Sequence, residues 1–291
     1  MTSVAGAGAG SGTSSPSSLL ETLDAIAREA AVLIRQVYVT EFSVDFKGPR
    51  DPVTEADRRA NELICDRLHK LFPNVPIVAE ESEPETFAGY RNAERIFFVD
   101  PLDGTREFVA RNGEFVVMIG YVDGERATAS VIHAPESGIS WLGERGTGAF
   151  QTGADGSRTP ISVSTVSALG EARIVGSRSH RNPALEQALA SLGARELVAL
   201  GSAGLKASVV AHGAADAYVA PHYAGKRWDA CAADALISAA GGKLTDSHGD
   251  PFDYRSEKLD NDRGVVASNG LFHDAIIEKL AALRPSSGTD H

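Results

Sequence analysis

The apolar positions first follow a helical spacing. Leu19, Leu23, Ile26, Ala30, Leu33, Ile34 and Val37 share one face, and Ser18 with Glu21 reads as a capping box, so a helix is expected to about Tyr38. A polar stretch containing Lys47, Gly48 and Pro49 follows. Ala56, Ala60, Leu63, Ile64, Leu68 and Leu71 then predict a second helix that Pro73 stops, with Thr54 and Asp57 as its capping box. Beyond it the period shortens. Residues 76–82 read as a short strand running into the acidic pair Glu80-Glu81, and Ile96-Phe97-Phe98-Val99 as a buried strand. Runs at 115–122, 126–133, 139–143 and 148–152, punctuated by Gly124 and Gly146, predict an antiparallel meander.

From about Gly170 strands alternate with helices. Strands are expected at 173–176, 196–200, 215–220, 243–246 and 264–268, and helices at 183–192, 202–212, 228–240 and 271–283. The expected fold class is therefore α/β, with an α+β first half at 19–168 and an α/β second half at 169–284. Residues 1–18 and 285–291 read as disordered tails.

Composition narrows the function. A net charge of −11 argues against a nucleic-acid polymer or a membrane surface as partner, so an anionic substrate needs a local positive centre such as a bound metal. Cys65 and Cys231, the only cysteines, fall in apolar helical contexts and read as reduced, which favours a cytoplasmic setting. No run of 18 apolar residues is present, and the first eighteen residues lack a basic n-region and an apolar core, so neither a membrane span nor a signal peptide is expected. His133 reads as a core or edge residue, and no Cys/His spacing suggests zinc.

The chemistry centres on Val99-Asp100-Pro101-Leu102-Asp103-Gly104-Thr105. Two carboxylates sit where a strand ends, and Pro101 forbids a simple continuation of the ladder. Gly104 allows a tight turn, and Thr105 opens a helix whose free N–H groups suit an anion. Hard oxygen ligands beside such a helix start are what Mg²⁺ and a phosphate need together; an Asx-turn with a capping Asp is the plainer alternative. Glu80-Glu81 ends the preceding strand, so two neighbouring strand ends can build one site. Asp229 lies at a helix start, where an ordinary N-cap is the alternative, and Gly241-Gly242 reads as that helix's stop.

Taken in order, Glu80-Glu81, Asp100 to Thr105, Trp228-Asp229 and Ala240-Gly241-Gly242 resemble the Mg²⁺-dependent, lithium-sensitive phosphomonoesterases of the inositol monophosphatase superfamily. The resemblance implies a layered αβαβα sugar-phosphatase fold. It implies two to three Mg²⁺ ions held by Glu80, Asp100, the Leu102 carbonyl, Asp103 and Asp229, with Asp100 bridging two. By the same resemblance Asp57 and Thr105 orient and deprotonate the attacking water, and a homodimer is compatible with the family.

The segments 225–232 and 241–249 are similar to the 3′(2′),5′-bisphosphate nucleotidase branch. On that pattern Ser177 and His180 contact substrate, Lys206 holds a second, non-reacting phosphate, and Gly104, Thr105, Ala203 and Asp229 also border the substrate. His222 stands where inositol monophosphatases present a carboxylate to inositol hydroxyls, and Ala203 lacks a hydroxyl that some relatives carry. The implied activity is hydrolysis of the 3′-phosphate of adenosine 3′,5′-bisphosphate, and of 3′-phosphoadenylyl sulfate, a small-molecule phosphate ester in either case. The alternatives are an inositol (poly)phosphate or sugar phosphate phosphatase and, in another class, a non-catalytic phosphate-ligand sensor.

Overall fold

Helix α1 (Ser18–Tyr38), the hairpin strands β1 (Val44–Gly48) and β2 (Asp51–Thr54), and α2 (Glu55–Leu71) lead into the first sheet of this computed structural model, which describes residues 18–48 and 51–284. The tails expected from the sequence lie outside the described residues, apart from Ser18. Strands β3 (Ile77–Ala79) and β4 (Arg95–Asp103), helix α3 (Thr105–Val109), and strands β5 (Val116–Asp123), β6 (Arg126–Ala134), β7 (Ile139–Glu144), β8 (Gly148–Thr152) and β9 (Arg158–Ile161) follow. The sheet keeps sequence order β3 to β9, parallel only between β3 and β4.

A second sheet takes the order β11-β10-β12-β14-β13. It is built from β10 (Arg173–Ser177), α4 (Pro183–Leu192), β11 (Glu196–Leu200), α5 (Ala203–Ala211), β12 (Ala217–Ala220), α6 (Arg227–Ala239), β13 (Lys243–Thr245), β14 (Val265–Ser268) and α7 (His273–Ala281). Strand β10 runs parallel to β11 and β12, whereas β14 is antiparallel to both β12 and β13.

Alternating side chains sort the molecule into layers. On β4 and β5, Phe97, Val99, Val117 and Ile119 pack towards α1 and α2, while Ile96, Phe98, Val116 and Met118 face α5 and α6. On the second sheet Val175, Tyr218 and Ala267 join that central core, and Ile174, Val219 and Val266 face α4 and α7. The result is αβαβα, with α5 and α6 as the shared middle layer. Cys231 is buried in α6 and Cys65 half-buried in α2, both as free thiols.

The structure departs from the sequence reading in three places. The polar stretch around Lys47 is the β1–β2 hairpin, and β9 closes a meander that was read one strand short. The Glu21 carboxylate pairs with Arg158, with Oε2 3.2 Å from Nη2. Strand β4 continues past Pro101, because a bulge between Asp100 and Asp103 absorbs the missing donor.

Helix α6 lies unusually close to the first sheet. A Cβ on Gly120 would sit 2.6 Å from Cys231 Sγ and 2.7 Å from the Ala232 nitrogen, and one on Gly143 would sit 2.6 Å from Leu236 Cα. Since the blocking atoms include helix backbone, Gly120→Ala is expected to push α6 outwards, at about 1–3 kcal/mol. Chemical denaturation should read that loss, together with reduced turnover because Asp229 rides on the same helix.

Two buried histidines couple stability to pH. His133 bonds Ser140 Oγ at 2.8 Å, and His273 bonds Thr245 Oγ1 and Ser268 Oγ at 2.9 Å each. Burial first, then the cations Arg28 and Lys243 respectively, push each imidazole down to about 4. The unfolded chain therefore binds the extra proton first, so stability is kept above about pH 6.5 and falls as pH drops from there towards 4. His133→Gln should flatten that fall by up to ~1.4 kcal/mol per pH unit, read as denaturation midpoints at pH 7 and pH 5.

Candidate active site

The end of β4 delivers Asp100 and Asp103, 2% and 8% exposed, on either side of the bulge. Pro101 has no N–H to give the ladder, and the Leu102 N–H turns back to Asp100 Oδ1 at 3.0 Å. Asp229 is the third residue of α6, not its N-cap; its Oδ2 accepts the Lys226 N–H at 2.7 Å. Gly225, at φ +69°, makes room for this, since a Cβ there would lie 2.4 Å from that oxygen. One oxygen each from Asp100, Asp103 and Asp229 falls within 4.8 Å of the others. Asp103 Oδ2 also accepts the Gly204 N–H at 2.7 Å and the Ser202 hydroxyl, which ties β4 to the start of α5.

Glu80 follows β3, where its N–H bonds Val99 O at 3.1 Å, so the two strand ends stand side by side. Its carboxyl hydrogen-bonds Asp100 and pairs with Lys47 Nζ at 3.0 Å, and Lys47 also holds Glu81. Burial, opposed by Lys47, holds Glu80 above the usual carboxylate range, and burial plus the Glu80 charge raises Glu81 to about 7. Asp100 is driven well up by burial and by Glu80, Asp103 and Asp229; Asp229 by burial, Asp103 and Glu80. Buried like charges with an all-oxygen donor set fit a small hard cation such as Mg²⁺.

Asp57 performs two tasks that the sequence set as alternatives. Its Oδ2 accepts the Thr54 N–H at 2.8 Å and the Thr54 hydroxyl at 2.7 Å, which caps α2. Its Oδ1 accepts the Thr105 hydroxyl at 3.0 Å. Asp57 is 2% exposed, and burial, against the hydrogen bonds it accepts, raises its pKa. The Thr105 hydroxyl also lies 3.2 Å from the Leu102 carbonyl, so two acceptors compete for one proton. A cation on that carbonyl would leave Asp57 as the acceptor.

These groups line one cleft of about 680 Å³. Gly104, Ser177, His180, Ala203, Lys206 and His222 border it as well, so it brings together every expected site residue except Asp57, which reaches it through Thr105. Gly104, at φ +97°, is required, because a Cβ would meet Glu114 O at 2.8 Å. Ser177 Oγ accepts the His180 N–H at 3.1 Å, fixing that turn. Lys206 is buried, with Nζ 3.5 Å from Leu200 O and 5.1 Å from the Tyr218 ring centre. Burial lowers its pKa, against the pull of Asp103.

Three functional neighbours escaped the sequence reading. Lys47 looked like loop polarity, and its acidic partner lies 33 residues on. Ser202, at φ +56°, caps α5 and bonds Asp103 across 99 residues. Arg106, the third, lines the cleft and donates to the Ser179 carbonyl at 3.1 Å, 73 residues away. A serine before Ala203 is a cap signal, but nothing local announces its long-range partner.

Comparison with known proteins agrees with this geometry. The profile of the inositol monophosphatase family matches residues 15–285. A 3′(2′),5′-bisphosphate nucleotidase CysQ from Escherichia coli K12 is 36% identical over 81% of this chain and 94% of the relative. The Haemophilus influenzae CysQ is 31% identical over 87% and 94%. Among solved structures, the Bartonella henselae suhB protein superposes with a TM-score of 0.79 at 26% identity, covering 92% of this chain and all of that one. The Thermotoga maritima IMPase gives 0.78 at 28%, covering 91% and 98%. A matched profile running nearly end to end, on a cleft with this ordered carboxylate set, places the chain in the inositol monophosphatase family.

Proposed function

We propose that the protein is a Mg²⁺-dependent phosphomonoesterase that removes the 3′-phosphate of adenosine 3′,5′-bisphosphate, with 3′-phosphoadenylyl sulfate as a second substrate. The observation that carries this reading is a single cleft that joins a carboxylate cluster to a buried lysine. Its wall carries the carboxylates, Thr105 bonded to Asp57, the buried Lys206 and His180. The CysQ relatives support the choice of branch.

Held by Glu80, Asp100, the Leu102 carbonyl, Asp103 and Asp229, two to three Mg²⁺ ions would polarise the phosphate, lower the pKa of a water and steady the leaving oxygen. The protein's own groups place the nucleophile. Thr105 gives its proton to Asp57 Oδ1, so its oxygen is turned to accept a proton from water. As water attacks phosphorus in line, its proton passes to Thr105 while the threonine proton passes to Asp57, already made more basic by burial. The new P–O bond forms as the bond to the ribose 3′ oxygen breaks, and that oxygen takes its proton from solvent. Lys206, Ser177 and His180 hold the non-reacting phosphate, while Gly104 and Ala203 border the substrate.

His222 weighs against inositol 1-phosphate, because a histidine accepts hydrogen bonds from vicinal hydroxyls poorly. The complete nucleophile-activating pair weighs against a non-catalytic sensor. Phosphate release with Mg²⁺ from adenosine 3′,5′-bisphosphate and inositol 1-phosphate, side by side, is expected to favour the nucleotide; preference for inositol phosphate would overturn the substrate assignment. Thr105→Val should lower kcat by roughly 10²–10⁴ with little change in KM, and Thr105→Ser, which keeps the hydroxyl, should lose far less.

A further inference from the structure

Tyr218 carries a hydroxyl that packing alone does not explain. On β12 the alternation turns Ala217 and Val219 into the outer core with α4 and α7, and Tyr218 into the central core with α5 and α6. It is 5% exposed, and a buried tyrosine hydroxyl ordinarily finds a hydrogen-bond partner. This one has none among the described residues, and it is not one of the polar atoms sealed off from solvent. Tyr218 lines the cleft, and the charges of Asp103 and Asp229 on the same wall reach its hydroxyl. Burial first, then those two charges, raise its pKa, so it keeps its proton and stands as a donor with nothing in the protein to receive it.

Its neighbour on the wall is Lys206, whose Nζ lies over the Tyr218 ring, 5.1 Å from the centroid, and 3.5 Å from Leu200 O. The ring thus seats the buried ammonium, while the hydroxyl remains open to a ligand. An ammonium is a compact point charge, which attracts an anion without fixing how that anion is turned. A hydroxyl is directional, and it adds no charge to a wall that already carries Asp103 and Asp229. A phosphoryl group presents three acceptor oxygens, so the group that meets Lys206 can also meet the hydroxyl on the rim of the ring beneath it.

We propose that Tyr218 is a specificity-determining residue, its hydroxyl donating to the substrate's second, non-reacting phosphate together with the Lys206 ammonium. The proposal rests on the bisphosphate reading above. Removing the donor leaves an oxygen of that anion unpaired against a buried wall, so the loss falls on the substrate that carries the second anion.

The test is the ratio of kcat/KM for adenosine 3′,5′-bisphosphate to that for adenosine 3′-phosphate, which lacks the second anion. A ratio from one preparation cancels the concentration of active enzyme, so partial misfolding of a variant does not distort it. Tyr218→Phe keeps the ring under Lys206 and removes one oxygen. It is expected to lower the ratio about tenfold, through a loss on the bisphosphate. An unchanged ratio in Tyr218→Phe, whether both values hold or both fall together, with a wild-type preference for the bisphosphate, overturns the role of Tyr218 alone. A wild-type enzyme with no such preference overturns the bisphosphate reading itself, and this proposal with it.

Discussion

Like charges removed from water repel, yet Asp100, Asp103 and Asp229 are held within 4.8 Å of one another. Each is held by one backbone N–H: Leu102 for Asp100, Gly204 for Asp103 and Lys226 for Asp229. Fixed donors offset part of the desolvation that burial imposes, without adding a mobile cation that a metal would have to displace. The local irregularities of the fold serve this arrangement. The bulge at Pro101 frees the Leu102 N–H, the positive φ of Ser202 turns the start of α5 towards Asp103, and Gly225 clears space for the Asp229 carboxylate. Glu80 pairs with a side-chain cation, Lys47, carried on a hairpin rather than in the core.

The fold was legible where periodicity is strong. Both amphipathic N-terminal helices, the meander and the later alternation of strands and helices could be read because each buried face keeps to one core. Leu71 departs from its predicted face, at 56% exposure, because it lies at the last residue of α2 with no neighbouring layer beyond. The short β1–β2 hairpin and β9 carry too few alternating residues to stand out from polar loop.

The carboxylate set was legible for a different reason. Those residues occupy strand ends and helix starts, where Pro, Gly and acidic residues leave a local signature. For Lys47, Ser202 and Arg106 no local signature announces the partner, which is distant in sequence and joined only by tertiary structure. Asp57 shows how a correct local reading can be incomplete. Its capping box is real, and the carboxylate oxygen left over from it is the one that meets Thr105.

The middle helix layer also bears on how the chain is made. A domain built from its N-terminus completes the seven-stranded sheet once residue 161 has emerged, with Ile96, Phe98, Val116 and Met118 on a face that has no cover. That cover begins with α5 and is completed more than sixty residues later by α6, carrying Asp229. A nascent chain therefore presents sticky apolar surface and an unfinished ligand set over the same interval, the stage at which chaperones engage growing polypeptides. One helix thus carries both the closing face of the core and the last member of the carboxylate cluster.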